Sequence, residues 1–259
     1  MKSVLRRLYY DYLMPSQFAA YGGLIDAANR AGYCHISVRQ YHDTLSRSLP
    51  MPDKLIVHRH DIDTDLRTTR KLFEINKKYG VKSSFYFRLS TLDIDLMREI
   101  EEYGSEASYH YEELATYAKK HRIKDVAVLR DHLPRIRDEF YANFCAIEGR
   151  LRKKMQTVAS HGDFANRKLK LSNTEILADQ QLRQRCGIEV EAYDRILMEN
   201  IDIYIADRPA RQSYYPMNPL EALDRHRRIY LLTHPRQMES NWQANTKENL
   251  CRVYEAVTW

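Results

Sequence analysis

The sequence feature that most constrains the fold is a repeated strand-and-helix unit that starts at Leu55. Each short apolar run is followed by a stretch whose apolar residues recur at helical spacing and which ends at a glycine. The predicted elements are the strand 55–60, the helix 64–79, the strand 83–87, the helix 92–103 and the strand 106–110. Strands that alternate with helices predict an α/β fold built on a parallel sheet.

The same alternation continues towards the carboxyl terminus. Apolar residues from Leu129 to Leu151 recur at steps of three and four, which predicts one long amphipathic helix. Further strands are predicted at 157–160, 188–193, 201–206 and 229–233. A chain of 259 residues suits a single α/β barrel domain, so we expect one domain over 1–259.

Two aspartates follow the first predicted strand. Parallel α/β folds collect their active sites at the carboxyl ends of strands, and at period two Asp61 and Asp63 project to the same side. One carboxylate can then bind a metal while the other acts as a base. On this fragment alone an alternative is equally good: Asp63 caps the next helix and Asp61 pairs with Arg59.

Three histidines also stand at predicted strand ends, namely His110, His161 and His234. A single histidine in such a place is more often structural, but three beside an Asp-x-Asp strand end favour a metal site. Carboxylate and imidazole ligands suit zinc, and also cobalt, nickel, manganese or iron. The sequence therefore predicts a divalent transition metal, with zinc preferred.

The net charge and the spacing of the cysteines indicate which binding partners and which cellular compartment to expect. The net charge of +6 favours anionic partners such as nucleotide-linked or lipid-linked sugars, and without a recognisable nucleic-acid module we expect no nucleic-acid binding. The four cysteines are widely separated, which predicts reduced thiols in the cytoplasm.

The amino-terminal segment lacks the continuous apolar core of a signal peptide. No stretch reaches the ~20 apolar residues of a transmembrane helix. The aromatic segment from Leu8 to Tyr21 predicts peripheral membrane contact at most.

Four short motifs, taken in order, resemble those of the polysaccharide deacetylase family, in variants from O-antigen and surface-polysaccharide clusters. They are His60-Asp61-Ile62-Asp63, the segment 80–86, the segment 104–110 and Leu231-Leu232-Thr233-His234-Pro235. The resemblance spans 55–235, which leaves 1–50 as an extension packed on this core. It implies a distorted (β/α) barrel of about seven parallel strands.

The resemblance also implies N-deacetylation with a bound divalent ion. Asp61 matches the catalytic base of the family, and His234 matches its general acid. Asp63 and His110 match two of its metal ligands. In such a mechanism the base takes a proton from the attacking water and the acid protonates the departing amine.

The chain departs from the family pattern at two places. Leu114 stands where the family has a second metal-binding histidine, and we expect His161 to replace that ligand. No Arg-x-Pro-Tyr segment is found, which in the family orients the base and stabilises the oxyanion, and Arg59, Arg88 and Arg208 are the candidates to substitute for its arginine. Asp207 either orients a catalytic side chain or caps a turn before Pro209.

These inferences predict a cytoplasmic, metal-dependent N-deacetylase that acts on an acylated amino sugar in surface-polysaccharide or O-antigen synthesis. A second hypothesis keeps the fold but treats the altered ligand set as lost catalysis, leaving a carbohydrate-binding or scaffolding protein. A third is a metal-dependent hydrolase of another bond, such as a phosphoester.

Overall fold

The computed structural model describes residues 5, 8–208 and 214–259, so Pro209 lies outside the described residues. Its strands form one sheet and are β1 Cys34–Ile36, β2 Leu55–Ile62, β3 Ser84–Phe87, β4 Glu106–Tyr111, β5 Thr157–Ser160, β6 Val190–Glu191, β7 Ile203–Asp207, β8 Tyr214–Tyr215 and β9 Arg228–Thr233. The strand order is β6-β5-β4-β3-β2-β9-β7-β8, and β1 also pairs with β2. All pairings are parallel except that of β7 with β8.

The helices pack around this sheet. The α-helices are α1 Phe18–Arg30, α2 Val38–Ser46, α3 Leu66–Lys78, α4 Ile94–Glu102, α5 Glu113–Lys120, α6 Val126–Asp131, α7 Leu133–Leu151, α8 Phe164–Leu169, α9 Gln180–Cys186, α10 Arg195–Met198, α11 Pro219–Ala222, α12 Pro235–Met238 and α13 Trp242–Thr258. Single turns of other helical type occur at Tyr9–Leu13, Leu89–Thr91 and Asn173–Ala178. Within the described ranges, no helix has both the length and the apolar composition needed to cross a bilayer.

The sheet curls until its two sides meet. The hydroxyl of Tyr230 on β9 donates to the carbonyl of Ala192, just after β6, at 3.1 Å. The rings of Tyr193 and Tyr204, from the β6 and β7 sides, lie 6.3 Å apart. Yet no strand pairing joins β6 to β7 in the described part of the chain. The sheet is therefore a distorted barrel with an open seam.

The predicted α/β barrel of about seven parallel strands is confirmed, with eight parallel strands among the described residues. One hydrophobic core fills the space between sheet and helices, and a second fills the barrel interior. The interior core includes Val57, Tyr86, Ala159, Val190 and Tyr230, one from each of five strands. Strand alternation explains this division, because neighbouring residues face opposite sides of the sheet.

Two details differ from the sequence prediction. The long helix predicted from Leu129 to Leu151 is two helices that meet at His132. Pro134 explains the break, since its nitrogen has no proton to donate to the carbonyl of Arg130. Neither the short strand β1 nor the antiparallel β8 was predicted.

A chain of hydrogen bonds runs through the layer between the sheet and the helices α1 and α3. The Tyr21 hydroxyl donates to Asn76 Oδ1 at 3.1 Å, so it accepts from His58 Nδ1 at 3.3 Å. His58 Nε2 then accepts from His35 Nδ1 at 2.7 Å. Asn76 Nδ2 donates to His60 Nε2 at 2.9 Å, and His60 Nδ1 donates to Thr233 Oγ1 at 2.7 Å.

Each histidine in this chain donates through one ring nitrogen only, which requires the neutral form. Burial lowers the pKa of His35 to about 4 and that of His60 to about 3. Burial and the neighbouring imidazoles lower the pKa of His58 well below its ordinary value. The three rings are therefore neutral in the folded protein and become cationic near pH 6.5 once the chain unfolds.

This difference predicts an acid-sensitive stability. Because the folded pKa values lie below the unfolded ones, stability is present above pH 6.5 and is lost as the pH falls below it. Each such histidine contributes a slope of about 1.4 kcal/mol per pH unit. His35→Asn keeps a donor near the Nδ1 position without a titrating ring. We expect the slope of the unfolding free energy against pH, between pH 6.5 and 5, to decrease by about 1.4 kcal/mol per pH unit. This change corresponds to the uptake of one proton fewer on unfolding.

Urea unfolding at a series of pH values measures that slope. His121→Asn, which removes an exposed histidine at the end of α5, is the matched control and should leave the slope unchanged. An equal slope in His35→Asn and the wild type would contradict the conclusion that His35 is neutral in the folded protein.

Candidate active site

The centre of the site lies on the inward face of β2. Arg59 donates to both carboxylate oxygens of Asp61, from Nε at 2.8 Å and from Nη2 at 2.7 Å. Both side chains are buried, and the Arg59 guanidinium stacks on the Tyr193 ring at 4.2 Å. Burial raises the pKa of Asp61, but the Arg59 charge outweighs burial and holds the pKa below its ordinary value. Asp61 is therefore ionised and fixed in orientation.

Three other predicted residues converge just beyond this pair. His110, on β4, places Nε2 at 3.3 Å from Asp63 Oδ1 and 3.4 Å from Asp61 Oδ2. His161, just after β5, places Nε2 at 3.5 Å from the same Asp63 oxygen. One atom from each of Asp63, His110 and His161 thus lies within 4.8 Å of the others. Three separate strand ends contribute to this cluster.

Each histidine is oriented by a group behind it. His110 Nδ1 bonds the carbonyl of Ala159 at 3.0 Å, and His161 Nδ1 lies 3.2 Å from Glu112 Oε2. Arg88 in turn donates to both oxygens of Glu112, at 2.9 and 2.7 Å. Burial raises the pKa of Glu112, but His161 and Arg88 lower it to about 2. The carbonyl bonded to Nδ1 of His110 leaves Nε2 facing the cluster, and Glu112 lies close enough to Nδ1 of His161 to favour the same orientation.

This arrangement fits a divalent metal ion. With Nδ1 of His110 bonded to a carbonyl oxygen, Nε2 is the ring nitrogen that can bind a cation lying between His110 and the Asp63 carboxylate. Asp63 Oδ1 is buried and has no hydrogen-bond partner, so this oxygen can coordinate a metal ion. Burial raises the pKa of Asp63, but the two histidines hold it well below its ordinary value. A carboxylate with two imidazoles is a common zinc ligand set.

Two further groups of potential ligands occur among the described residues, and both fit a metal less well. In the group of His42, Asp43 and Glu189, Asp43 pairs with Arg47 at 3.1 Å. The group of Glu112, His161 and Asp163 contains two carboxylates already bound by Arg88 and Lys119.

A second ion pair lies beside the cluster, in which the Asp207 carboxylate is buried and the His234 ring is half-buried. His234 follows β9, and its Nδ1 bonds Asp207 Oδ1 at 2.6 Å while its backbone N–H donates to Asp207 Oδ2 at 2.6 Å. Burial lowers the pKa of His234, but Asp207 outweighs burial and raises it to about 10, with smaller contributions from Asp63 and Asp61. His234 is therefore cationic at neutral pH, with Nε2–H available for donation.

The structure also decides among the alternatives left open by the sequence. Asp61 does pair with Arg59, whereas the cap of α3 is Asp65 and not Asp63. Asp207 contacts a candidate catalytic side chain, as one of its two interpretations required. Leu114 is fully buried in the hydrophobic core, where a histidine would face apolar side chains.

The three candidate arginines make different contacts. Arg59 contacts Asp61, Arg88 holds Glu112, and Arg208 lies over the Tyr215 ring at 4.0 Å. Sequence reasoning missed the role of Glu112. Its place two residues after His110 was the available signal, since strand alternation puts both on one side.

A cavity of about 360 Å³ borders Asp63. It is also lined by α13 and the residue before that helix, with polar side chains from Asn241, Gln243, Lys247 and Glu248. This volume is within the range of small-molecule sites. Of the predicted catalytic and metal-binding residues, Asp63 is the one that lines this cavity.

Comparison with solved structures finds distant similarities, including the following two. The Streptococcus pyogenes deacetylase PplD in complex with acetate is 14% identical with a TM-score of 0.46, covering 70% of this chain and 77% of that chain. IcaB from Ammonifex degensii is 14% identical with a TM-score of 0.49, covering 70% of this chain and 80% of that chain. No protein-family model matches the chain, and no curated protein matches it significantly.

One of these two structures bears the name of a deacetylase, the class of protein that the motifs resemble. At 14% identity the likeness concerns the fold. Functional roles are therefore inferred from the geometry of the site itself.

The cluster predicts one divalent ion per chain. Asp63→Ala, His110→Ala and His161→Ala should each weaken zinc binding by at least tenfold, because each removes a ligand. Isothermal titration of metal-free protein with zinc measures the affinity. His42→Ala, from the competing group, is the matched control and should bind as the wild type does. Loss of binding in the control alone would place the metal at His42.

The Asp207–His234 pair predicts a specific change in titration. In Asp207→Asn the burial of His234 remains while its anionic partner is lost, so its pKa should fall from about 10 to its ordinary value or below. NMR of the histidine rings in metal-free protein measures this, and at pH 8 the ring should change from cationic to neutral. Asp224→Asn, an exposed carboxylate, is the control. An unchanged titration would show that Asp207 does not set the charge of His234.

Proposed function

We propose that this protein is a metal-dependent N-deacetylase that acts on an acylated amino sugar in surface-polysaccharide or O-antigen synthesis. The observation that carries the proposal is the grouping of three functional units at one end of the barrel. These are the Asp63–His110–His161 cluster, the Asp61 carboxylate held by Arg59, and the cationic His234 held by Asp207.

Amide hydrolysis needs a base, an acid and stabilisation of a developing oxyanion, and these units supply residues for each task. Asp63, His110 and His161 would hold the divalent ion. When bound, that ion supplies Lewis acidity towards the acyl oxygen and lowers the pKa of water.

Asp61 is positioned to accept the proton of the attacking water. Arg59 occupies one direction on each carboxylate oxygen, and Oδ2 also faces His110, so this oxygen points into the site. Because Arg59 lowers the pKa of Asp61, the base is ionised at neutral pH. In this role Arg59 replaces the arginine of the missing Arg-x-Pro-Tyr segment.

His234 is positioned to donate a proton to the departing nitrogen. Its Nδ1–H is held by Asp207, so the Nε2 proton of the cationic ring is the one transferred. An amine leaves readily only once it is protonated, and the water proton taken by Asp61 balances the one given by His234. The products are a carboxylate and a free amino sugar.

The substrate and location are part of the proposal. The net charge of +6 favours a sugar that carries a phosphate, either nucleotide-linked or lipid-linked, and the polar side chains that line the cavity at Asp63 offer donors and acceptors for sugar hydroxyls. The four cysteines are free thiols, which agrees with a cytoplasmic site of action. We propose zinc as the ion, since the ligands are one carboxylate and two imidazoles.

Two other functions use the same observations. A carbohydrate-binding or scaffolding protein would bind metal and sugar without hydrolysis. A phosphoester hydrolase would typically hold a second metal about 4 Å from the first. The cationic His234 favours hydrolysis over binding alone, because a general acid serves a poor leaving group.

The test measures acetate release from N-acetylated nucleotide sugars and N-acetylated oligosaccharides by zinc-loaded protein. Asp61→Asn and His234→Gln should each lower kcat by roughly 10²–10⁴, because each removes one proton-transfer group. His42→Ala should retain the wild-type rate. If zinc-loaded wild-type protein binds these sugars but releases no acetate, the binding-protein function replaces this one.

A further inference from the structure

Glu191, the last residue of β6, carries a buried carboxylate that belongs to none of the three units of the candidate active site. Its Oε1 accepts the backbone N–H of Ser160 at 2.8 Å, and its Oε2 accepts the backbone N–H of Tyr193 at 2.7 Å. One carboxylate thus joins the end of β5 to the loop that follows β6. Each of the two backbone groups adjoins a part of the candidate active site.

The Glu191 side chain takes over where the pairing of β5 with β6 ends. The last paired residues are Val158 and Glu191, and the N–H of Ala192 donates to the carbonyl of Val158 at 2.9 Å. The carbonyl of Ala192 accepts the Tyr230 hydroxyl from across the seam, at 3.1 Å. Ser160 lies two residues further along β5 than Val158, and its N–H donates to the Glu191 carboxylate. This side chain therefore continues the connection between the two strands beyond their ladder.

The bond to Ser160 holds the residue that directly precedes a predicted metal ligand. His161 follows Ser160, and its own N–H donates to the carbonyl of Tyr111 at 2.8 Å. Two successive N–H groups are therefore fixed, which restrains the backbone from which the imidazole extends. The Nε2 of that ring lies 3.5 Å from Asp63 Oδ1. The place of His161 in the cluster thus depends on Glu191 as well as on β4.

The bond to Tyr193 holds a ring against Arg59. The Arg59 guanidinium lies 4.2 Å from the centre of the Tyr193 ring and 5.6 Å from that of the Tyr86 ring. Nη1 of Arg59 is buried and has no hydrogen-bond partner among the described residues. The rings, and not a hydrogen bond, therefore restrain this side of the guanidinium. They help to set the plane in which Arg59 donates to Asp61.

An ionised carboxylate suits both bonds, because it presents acceptors only, whereas an amide has one acceptor oxygen and a donor NH₂. Burial raises the pKa of Glu191 to about 7, although Arg59 and the two N–H groups oppose this, and Asp194 raises it further. Asp194 is itself bound by Arg183 at 2.7 Å. Because the folded pKa of Glu191 lies above the unfolded one, its ionisation lowers stability as the pH rises through 7. The carboxylate is therefore poorly explained by stability alone.

We propose that Glu191 is a positioning residue of the candidate active site, which sets the place of His161 through Ser160 and the plane of Arg59 through Tyr193. The inference rests on the proposed function, since it concerns the same metal ligand and the same base. Glu191 acts through these residues and is not itself a catalytic group.

Cobalt(II) is the probe for the connection to His161, because its visible absorption reports the geometry of its ligands. The test adds cobalt to the metal-free full chain at pH 8, where Glu191 is ionised. Glu191→Gln and Glu191→Asp should each bind cobalt roughly tenfold more weakly than the wild type, with a changed spectrum. Gln loses one acceptor, and Asp keeps the charge but is too short by one methylene to reach both N–H groups.

Glu199→Gln is the matched control, because Glu199 is an exposed carboxylate on α10 that pairs with Arg195. It should bind cobalt as the wild type does. Circular dichroism and thermal unfolding establish that each variant is folded. Wild-type cobalt affinity and spectrum in both folded Glu191 variants would overturn the proposal.

Tyr193→Leu and Tyr193→Phe test the connection to Arg59 and decide the matter if the Glu191 variants do not fold. Tyr193 is 39% exposed, so neither change opens a cavity in the core. In acetate release by zinc-loaded protein, Tyr193→Leu should lower kcat roughly tenfold at unchanged KM, because the base is misaligned. Tyr193→Phe keeps the ring and should keep the rate. A wild-type kcat in Tyr193→Leu, or a change in KM alone, would overturn the proposal.

The cobalt measurement separates this inference from the proposed function. Altered cobalt binding in the Glu191 variants, without acetate release by the wild type, would sink the proposed function and leave Glu191 as the support of His161. Acetate release that is unaffected in the Glu191 and Tyr193 variants would do the reverse. A wild type that binds no cobalt would sink both.

Discussion

The structure depends on the burial of four consecutive ionisable residues in β2, from His58 to Asp61. A buried strand normally carries apolar side chains, because each unpaired polar group costs free energy when it leaves water. Alternation divides these four between the two faces of the sheet. The two histidines enter the helix layer as neutral rings, and Arg59 and Asp61 enter the barrel as an ion pair. The surrounding elements supply partners for both sets.

The ion pair illustrates why such an arrangement persists. Removing two charges from water costs several kcal/mol per ion, so a buried pair seldom adds net stability. What the pair does provide is a carboxylate of fixed orientation and fixed charge. The same holds for His234, a half-buried ring whose cationic form is stabilised mainly by Asp207. Fixed charge states, in both cases, suit proton transfer more than folding.

Much of the site was predictable from sequence because its residues follow strands. Asp61, Asp63, His110, His161 and His234 all stand where an apolar run ends, and a parallel sheet brings such ends together. The contacts behind them were not predictable in the same way. The pairing of Glu112 with His161 depends on the register between β4 and β5. No local sequence pattern predicts that register.

The fold was predictable to a similar degree. Elements of strong periodicity, such as α7 and β2, were found, whereas β1 and β8 are too short to show a period. The helix α13 was not predicted.

The open seam between β6 and β7 has a mechanical consequence. Around the rest of the barrel, backbone hydrogen bonds hold neighbouring strands at a fixed spacing of about 4.8 Å. At the seam that spacing is set by tyrosine side chains and by the Tyr230 hydroxyl, which are softer and less directional restraints. The circumference of the barrel can therefore widen or narrow at this one place without breaking a strand pairing. A substitution that changes the side-chain volume at Tyr193 or Tyr204 would alter the diameter of the barrel. The seam is therefore the part of the scaffold where the barrel interior changes most readily by substitution.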